Sequence, residues 1–136
     1  MEMNDFMNEI FTAVAVPVRE AHPGVNVSGE YTRKPSAFPA VTLDEIENVI
    51  VGSLEDSSNE ETYSGLTYRL QVFSNQTRGK KTEARSIFAT ADNVMRRLGF
   101  HRVTYTVTPE IYESTIYSIT ATYEAIISAD GAIYRR

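Results

Sequence analysis

The residue types that most often do chemistry in proteins are few in this chain, and they lie far apart. The sequence contains no cysteine, which excludes disulfides, thiolate metal sites and cysteine nucleophiles. Its two histidines are His22, between a predicted helix end and a proline, and His101, at the start of a predicted strand. Neither has a carboxylate at the i+3 or i+4 spacing of a helical metal site. We therefore expect both histidines to be structural or solvated.

Asp44, Glu45 and Glu47 form a close cluster of carboxylates. Regular alternation along a strand would place Asp44 on the face opposite Glu45 and Glu47, so the three would not converge on one acid–base site. The sequence also has no nucleophile elbow, Walker loop or dinucleotide-binding glycine motif. We predict no catalytic, cofactor-binding or metal-binding residues, and we expect a chain that is not an enzyme.

Length and composition indicate a single globular domain over residues 1–136, because 42% hydrophobic and 23% charged residues are ordinary values for such a domain. A net charge of −5 and a pI near 5.0 argue against a dedicated nucleic-acid-binding protein. The longest apolar stretch, residues 13–18, is far shorter than the roughly 20 residues that cross a bilayer. The early charges are acidic, unlike a secretory signal. We expect a soluble intracellular protein.

Two amphipathic helices are predicted from apolar residues at helical spacing. The first spans about fifteen residues from an N-cap at Asn4 or Asp5, and Pro17 should kink or break its last turn. The second carries a wide apolar stripe, with Gly99 following it as C′. The stripe consists of Ala84, Ile87, Phe88, Ala91, Val94, Met95 and Leu98.

Five strands are predicted from alternating apolar and polar residues, in the order α-β-β-β-α-β-β. They begin near Val25, Ala40, Leu66, Val103 and Thr115. Short connections favour antiparallel pairing, which gives an α+β fold: a mostly antiparallel sheet of four to five strands with two helices packed on one face. The opposite face should be flat and rich in threonine, and it is either solvated or the wall of an assembly. It carries Thr67, Arg69, Gln71, Phe73, Thr104, Thr106, Thr120 and Thr122.

Charge is distributed unevenly along the chain. Residues 44–61 contain seven acids and no base, and residues 52–61 within them are predicted to form a long hairpin tip. Residues 78–97 contain six bases and two acids. Both runs could be solvated surfaces, or they could pair head-to-tail between neighbouring copies and close a ring.

Residues 72–75 (VFSN), the GKK sequence at 79–81 and the MRRLGF sequence at 95–100 resemble the tail terminator family of long-tailed bacteriophages, also known as tail-to-head joining or minor capsid proteins. The resemblance extends from about Pro39 to the tyrosine-rich last strand, and it includes the element order and the chain length. The first helix agrees only in type.

This resemblance implies a structural virion protein. Family members form hexameric rings at the head-proximal end of the tail, end polymerisation of the tail tube and dock to the head connector. The expected partners are therefore further copies of the chain, the tail tube protein and the connector or stopper protein. DNA would pass through the ring without sequence-specific binding, no membrane is involved, and assembly takes place in the host cytoplasm.

Other functions stay open: another connector component (a stopper or head completion protein), a tail tube subunit, or a small α+β ligand-binding or enzyme module. For an assembly protein, the predicted contact elements are the acidic tip, the loop at 33–36, the basic start of the second helix and the tail at 132–136. The candidate interface residues are Glu55, Asp56, Glu60, Glu61, Arg78, Lys80, Lys81, Arg85, Arg33, Lys34, Ile133, Tyr134, Arg135 and Arg136.

Overall fold

The computed structural model describes residues 6–32, 35–50, 63–109 and 116–128. Within these ranges the elements are two helices and five strands in the predicted order. They are α1 (Met7–Ala21), β1 (Asn26–Ser28), β2 (Ala40–Ile50), β3 (Tyr63–Ser74), α2 (Lys80–Leu98), β4 (His101–Pro109) and β5 (Tyr117–Ser128). The predicted N-caps Asn4 and Asp5, the tip at 52–61 and the tail at 132–136 lie outside the described residues.

The strands form one sheet in the order β1-β2-β3-β5-β4. Neighbouring strands are antiparallel except β1 and β2, which run parallel with Val27 opposite Val41. The α+β class is therefore confirmed, with a mostly antiparallel sheet. The sequence prediction of antiparallel pairing is wrong for β1, because the chain returns after Ser28 to enter β2 beside Asn26.

The core lies between the two helices and one face of the sheet. Leu66, Tyr68, Leu70 and Val72 alternate along β3 as predicted, and all four are buried. Ile87, Phe88, Ala91, Val94 and Met95 of the predicted stripe are buried against this face, with Leu98 packed at the margin. The helix-covered face thus follows from the alternation and helical spacing in the sequence.

The end of α2 is set by Gly99. This residue has φ of 105°, and its N–H donates to the carbonyl of Arg96, while the N–H of Phe100 donates to Met95. The two bonds form a Schellman motif, which the left-handed conformation of glycine permits. Phe100 is thereby turned back into the core, where its ring packs edge-on against Tyr68 at 5.4 Å.

Three local predictions need correction. Pro17 does not break α1, which continues to Ala21, and the predicted alternative of a kink stays a prediction. The alternation of Val25, Val27 and Tyr31 predicts a longer first strand with Tyr31 on its buried face, but β1 ends at Ser28 and Tyr31 is exposed. A β-bulge between Glu45 and Glu47 places Glu47 opposite Thr67, on the same face as Asp44, because it interrupts the regular alternation.

The threonine-rich face is only partly open. Thr42 and Gln71 are buried there and joined by a hydrogen bond of 2.8 Å from Thr42 Oγ1 to Gln71 Oε1. Ala40, Phe73 and Ile116 form a second small core on this side, against which Phe38 packs. Towards β4, the polar side chains stay accessible, and Thr104 and Thr122 bond at 2.7 Å.

Candidate assembly interface

The basic start of α2 is the part of the predicted interface that the structure describes. Arg78, Lys81 and Arg85 are exposed, and Lys80, the first residue of the helix, is half-buried. Lys81 and Arg85 lie one helical turn apart, so both point away from the core on one side of the helix. The structure therefore brings these four predicted residues together at one end of α2.

The first turn of α2 is attached to the end of β3. Gly79 precedes the helix with φ of 81°, and its carbonyl accepts the N–H of Glu83 at 2.8 Å. The hydroxyl of Ser74, which is fully buried, donates to Glu83 Oε1 at 2.6 Å. These hydrogen bonds attach the first turn of α2 to β3, and they therefore fix the position of the basic residues relative to the sheet.

The remaining predicted interface residues, which are the acidic set, the loop pair and the tail set, lie outside the described residues. They are Glu55, Asp56, Glu60, Glu61, Arg33, Lys34, Ile133, Tyr134, Arg135 and Arg136. Their assignment to an interface stays a prediction from the sequence.

The strand at one edge of the sheet, β4, is a further candidate surface that the sequence prediction missed. Residues 101–107 are all exposed, and β4 pairs with β5 on one side. Val103, Tyr105 and Val107 are large apolar side chains with exposed fractions of 39–49%. An exposed strand edge with apolar side chains is a template for pairing with another chain. The sequence could not identify this edge, since it arises from the non-sequential order that inserts β5 between β3 and β4.

A buried carboxylate joins α2 to β4 and β5. Asp92 Oδ1 accepts hydrogen bonds from the hydroxyl of Tyr123 at 2.6 Å and from Arg102 Nη1 at 3.0 Å, and Arg96 Nη1 lies 3.9 Å from Oδ2. Burial, followed by the contact with Asp92, raises the pKa of the Tyr123 hydroxyl far above its usual range. The position of Asp92 four residues after Phe88, on the apolar stripe, is the sequence signal that could have revealed this network.

Arg102 also lies over two aromatic rings. Its guanidinium carbon is 6.0 Å from the centre of the Phe88 ring and 5.9 Å from that of Tyr105, and these rings pack edge-to-face at 5.1 Å. A bulge between Arg102 and Thr104 turns Arg102 towards α2. On the helix side, the exposed strand β4 is therefore attached to α2 by contacts of Arg102 and Tyr105 with Phe88.

On the opposite face, Arg69 joins β3 to β2. It makes two bonds to Asp44, from Nε at 3.2 Å and from Nη2 at 2.6 Å, in a bidentate geometry. The ring of Tyr31 stacks over the guanidinium at 4.1 Å. Glu45, on the helix side, accepts the hydroxyl of Tyr68 at 2.9 Å. Two of the three clustered carboxylates are thus engaged in structural bonds.

The histidines lie apart, as the sequence indicates. His22 Nε2 bonds to Thr90 Oγ1 at 2.9 Å, which joins the end of α1 to α2, whereas His101 is exposed on β4. Within the described ranges, no three histidine, aspartate or glutamate side chains are grouped as metal ligands. Neither helix of the described chain has the length and apolar character that a membrane crossing requires.

No protein-family model matches the chain, and no curated protein matches it at a significant level.

Proposed function

We propose that this protein is a structural subunit of a bacteriophage tail, which forms a ring at the head-proximal end, ends polymerisation of the tail tube and joins the tail to the head connector. The observation that carries the proposal is the exposed edge strand β4 with Val103, Tyr105 and Val107. Each protomer of a ring contacts its neighbours through two unlike surfaces, and an exposed apolar strand edge is suited to form one of them.

The resemblance to tail terminator proteins supports the proposal through the fold. The residues that carry it lie at junctions: Phe73 in the second core, Ser74 on Glu83, Gly79 before α2, and Gly99 and Phe100 after it. These residues determine how β3, α2 and β4 are connected. A sequence that shares them is expected to share this β-α-β unit, and the two helices on a mostly antiparallel sheet agree with that expectation.

The proposed partners are further copies of the chain, the last ring of the tail tube and the connector or stopper protein. In this role the acidic net charge of −5 is favourable, because DNA passing through the ring would be repelled rather than retained. The protein would reside in the virion after assembly in the host cytoplasm, and its function would need contact surfaces only.

The test is deletion of the gene from the phage, with electron microscopy of the lysate. We expect tails of uncontrolled length that do not join heads, and restoration of normal virions when the protein is supplied from a plasmid. Tails of normal length that fail to join heads would instead assign the protein to the connector, and the absence of tails would assign it to the tube. Normal virions would contradict any role in assembly.

Native mass spectrometry of the purified chain separates an assembly protein from a small binding or enzyme module. We expect a closed oligomer, with six copies as the stoichiometry implied by the resemblance. A chain that stays monomeric at the highest soluble concentration, in low salt and in the absence of partners, would contradict self-assembly of the ring.

A further inference from the structure

In the part of the chain that the structure describes, the second edge of the sheet is unpaired over most of its length. β1 pairs with β2 at Ala40–Thr42, and within the described ranges no strand continues along the same side of β2 towards Ile50. Ile46 and Val49 lie on this stretch, and each is 45% exposed. Among the described residues, the sheet therefore leaves two edges unpaired, one on β2 and one on β4, and each carries exposed large apolar side chains.

Bulges limit the part of each edge that is regular enough to pair. One bulge lies between Glu45 and Glu47 of β2, and the other lies between Arg102 and Thr104 of β4. A bulge bends a strand and disrupts the spacing of its hydrogen-bonding groups. The regular stretches are therefore Glu47–Ile50 on β2 and Thr104–Val107 on β4.

The two edges carry opposite charge. The β2 margin is acidic, because Glu47 is exposed and Glu45 accepts a bond from the neutral hydroxyl of Tyr68, whereas the charge of Asp44 is paired with Arg69. On the β4 margin, Arg85 and Arg96 lie on the same side of α2 as Phe88, which contacts Tyr105 of β4. Arg102 adds a third cation on that margin, where the buried acid Asp92 is already bonded to it. Complementary charge of this kind favours contact between unlike edges and opposes contact between like edges.

Strand direction permits the contact without inverting the protomer. The pairings make β2 and β5 run one way and β3 and β4 the other way. A rotation about an axis along the strands leaves these directions unchanged, so β2 of the next copy would run antiparallel to β4. All helices would then lie on the same face of a continuous sheet.

We propose that the protein assembles head-to-tail through its sheet, with Thr104–Val107 of one copy pairing antiparallel with Glu47–Ile50 of the next copy. This inference rests on the ring proposed above and names its subunit contact. Strand pairing supplies main-chain hydrogen bonds, the exposed apolar side chains become buried, and the charged margins select the unlike edge. The contact is heterologous, as a closed ring requires.

Disulfide trapping tests this contact directly, because the natural chain has no cysteine. Each chain of the panel carries one cysteine on β2, as Glu47→Cys or Val49→Cys, and one on β4, as Thr104→Cys or Thr106→Cys, because these four residues lie on the same, threonine-rich face of the sheet. Paired strands place opposite Cα atoms roughly 4.5–5.5 Å apart, within the range that a disulfide spans. Oxidation should give at least one combination that forms a ladder of covalent multimers on a non-reducing gel.

A disulfide between the two cysteines of one chain cannot form, because β3 and β5 separate β2 from β4 by about 14 Å at the usual strand spacing. Two controls accompany the panel. The double variant Thr12→Cys with Asn93→Cys has exposed cysteines on the helices and should give no ladder. Each edge cysteine alone should give no dimer, because a head-to-tail contact places it against a different strand.

The outcomes separate this inference from the function on which it rests. A ladder in the edge combinations, absent from both controls, supports the pairing. A dimer from Thr106→Cys alone would indicate that two β4 strands meet, and it would overturn the proposal. A closed ring in native mass spectrometry with no ladder from any combination would overturn it while leaving the ring in place. A monomer would overturn both the pairing and the self-assembling ring.

Discussion

At the scale of single residues, the arrangement around Asp92 explains how a charged side chain is accommodated inside the core. An isolated buried carboxylate is costly unless donors replace the lost water. Tyr123 and Arg102 both donate to its Oδ1, and they belong to the two strands beside α2. The carboxylate therefore connects three elements at one point, and its removal would leave Arg102 and Tyr123 without their acceptor.

The Tyr123 hydroxyl should make stability depend on alkaline pH. Burial raises its pKa in the folded protein, so folding retains a proton that the unfolded chain releases above pH ~10. The stabilisation is complete below that pH and is lost as the pH rises above it. The difference in unfolding free energy between the parent and Tyr123→Phe should shrink by about 1.4 kcal/mol per pH unit there.

Urea titrations between pH 8 and pH 11 measure this difference. Val16→Ala, on the exposed side of α1, is the control, and its difference from the parent should be the same at every pH. A constant difference between the parent and Tyr123→Phe over the whole range would contradict the assigned role of burial.

Phe88 should be among the largest single contributors to the core. It is 6% exposed, and it packs against Tyr105 and beneath Arg102. Phe88→Ala would remove these contacts and leave a cavity, at a cost of about 3–5 kcal/mol in unfolding free energy. The control Val16→Ala, on the exposed side of α1, should change it by less than about 0.5 kcal/mol. Urea unfolding measures both, and a small loss for Phe88→Ala would mean that α2 presents a different face.

At the scale of elements, the sequence predicts what depends on local periodicity. The stripe of α2 and the alternation of β3 follow from side-chain spacing, because burial on one side selects the same positions in any compact fold. The bulge at Glu45/Glu47 is not predictable in this way, since it changes the register without changing the composition. The parallel placement of β1 also depends on the path of a connection rather than on its own residues.

The candidate interface likewise has one part that the sequence predicts and one part that depends on the three-dimensional arrangement. The basic start of α2 is visible in the sequence because its four bases fall within eight residues, 78–85, and the structure displays them together. The open edges of β2 and β4 depend on the strand order, which places sequence neighbours apart. Exposure of Val103, Tyr105 and Val107 therefore contradicts the usual inference that alternating apolar residues are buried.

The end of α2 provides a prediction at this scale. Gly99→Ala would force a Cβ into the left-handed region, which costs about 1–2 kcal/mol. The loss should appear as a lower midpoint in thermal and urea unfolding, with the same fold by circular dichroism. Gly29→Ala is the matched control, because its added Cβ would meet Phe11 at an ordinary 3.6 Å. Equal stability of the two variants would argue against the Schellman motif as a determinant of the β4 entry.

At the scale of the whole molecule, acidic and basic residues are concentrated in different segments of the chain. Residues 44–61 carry seven acids and residues 78–97 carry six bases, and these regions include the β2 margin and α2. A charge division across unlike surfaces orients one protomer against the next, and it contributes more to register and association rate than to total affinity. The apolar side chains on the two open edges would supply the stabilising burial.

Reversing the acidic residues should therefore weaken assembly without unfolding the protomer. We expect the combined variant Glu55→Lys, Asp56→Lys, Glu60→Lys and Glu61→Lys to dissociate at concentrations where the parent is a ring. Light scattering coupled to size-exclusion chromatography measures this shift, and the thermal unfolding midpoint should stay nearly unchanged.

The control variant replaces Glu9, Glu20, Glu30 and Glu124 by lysine. These residues are exposed elsewhere on the protein, and their replacement changes the net charge by the same amount. A rescue variant combines the four lysine substitutions in the acidic stretch with replacement of Arg78, Lys80, Lys81 and Arg85 by glutamate. It should restore the ring, because the attraction depends on opposite charges and not on which surface carries the negative one. If the variant with the four lysine substitutions in the acidic stretch forms the same oligomer as the parent, that stretch is a solvated surface.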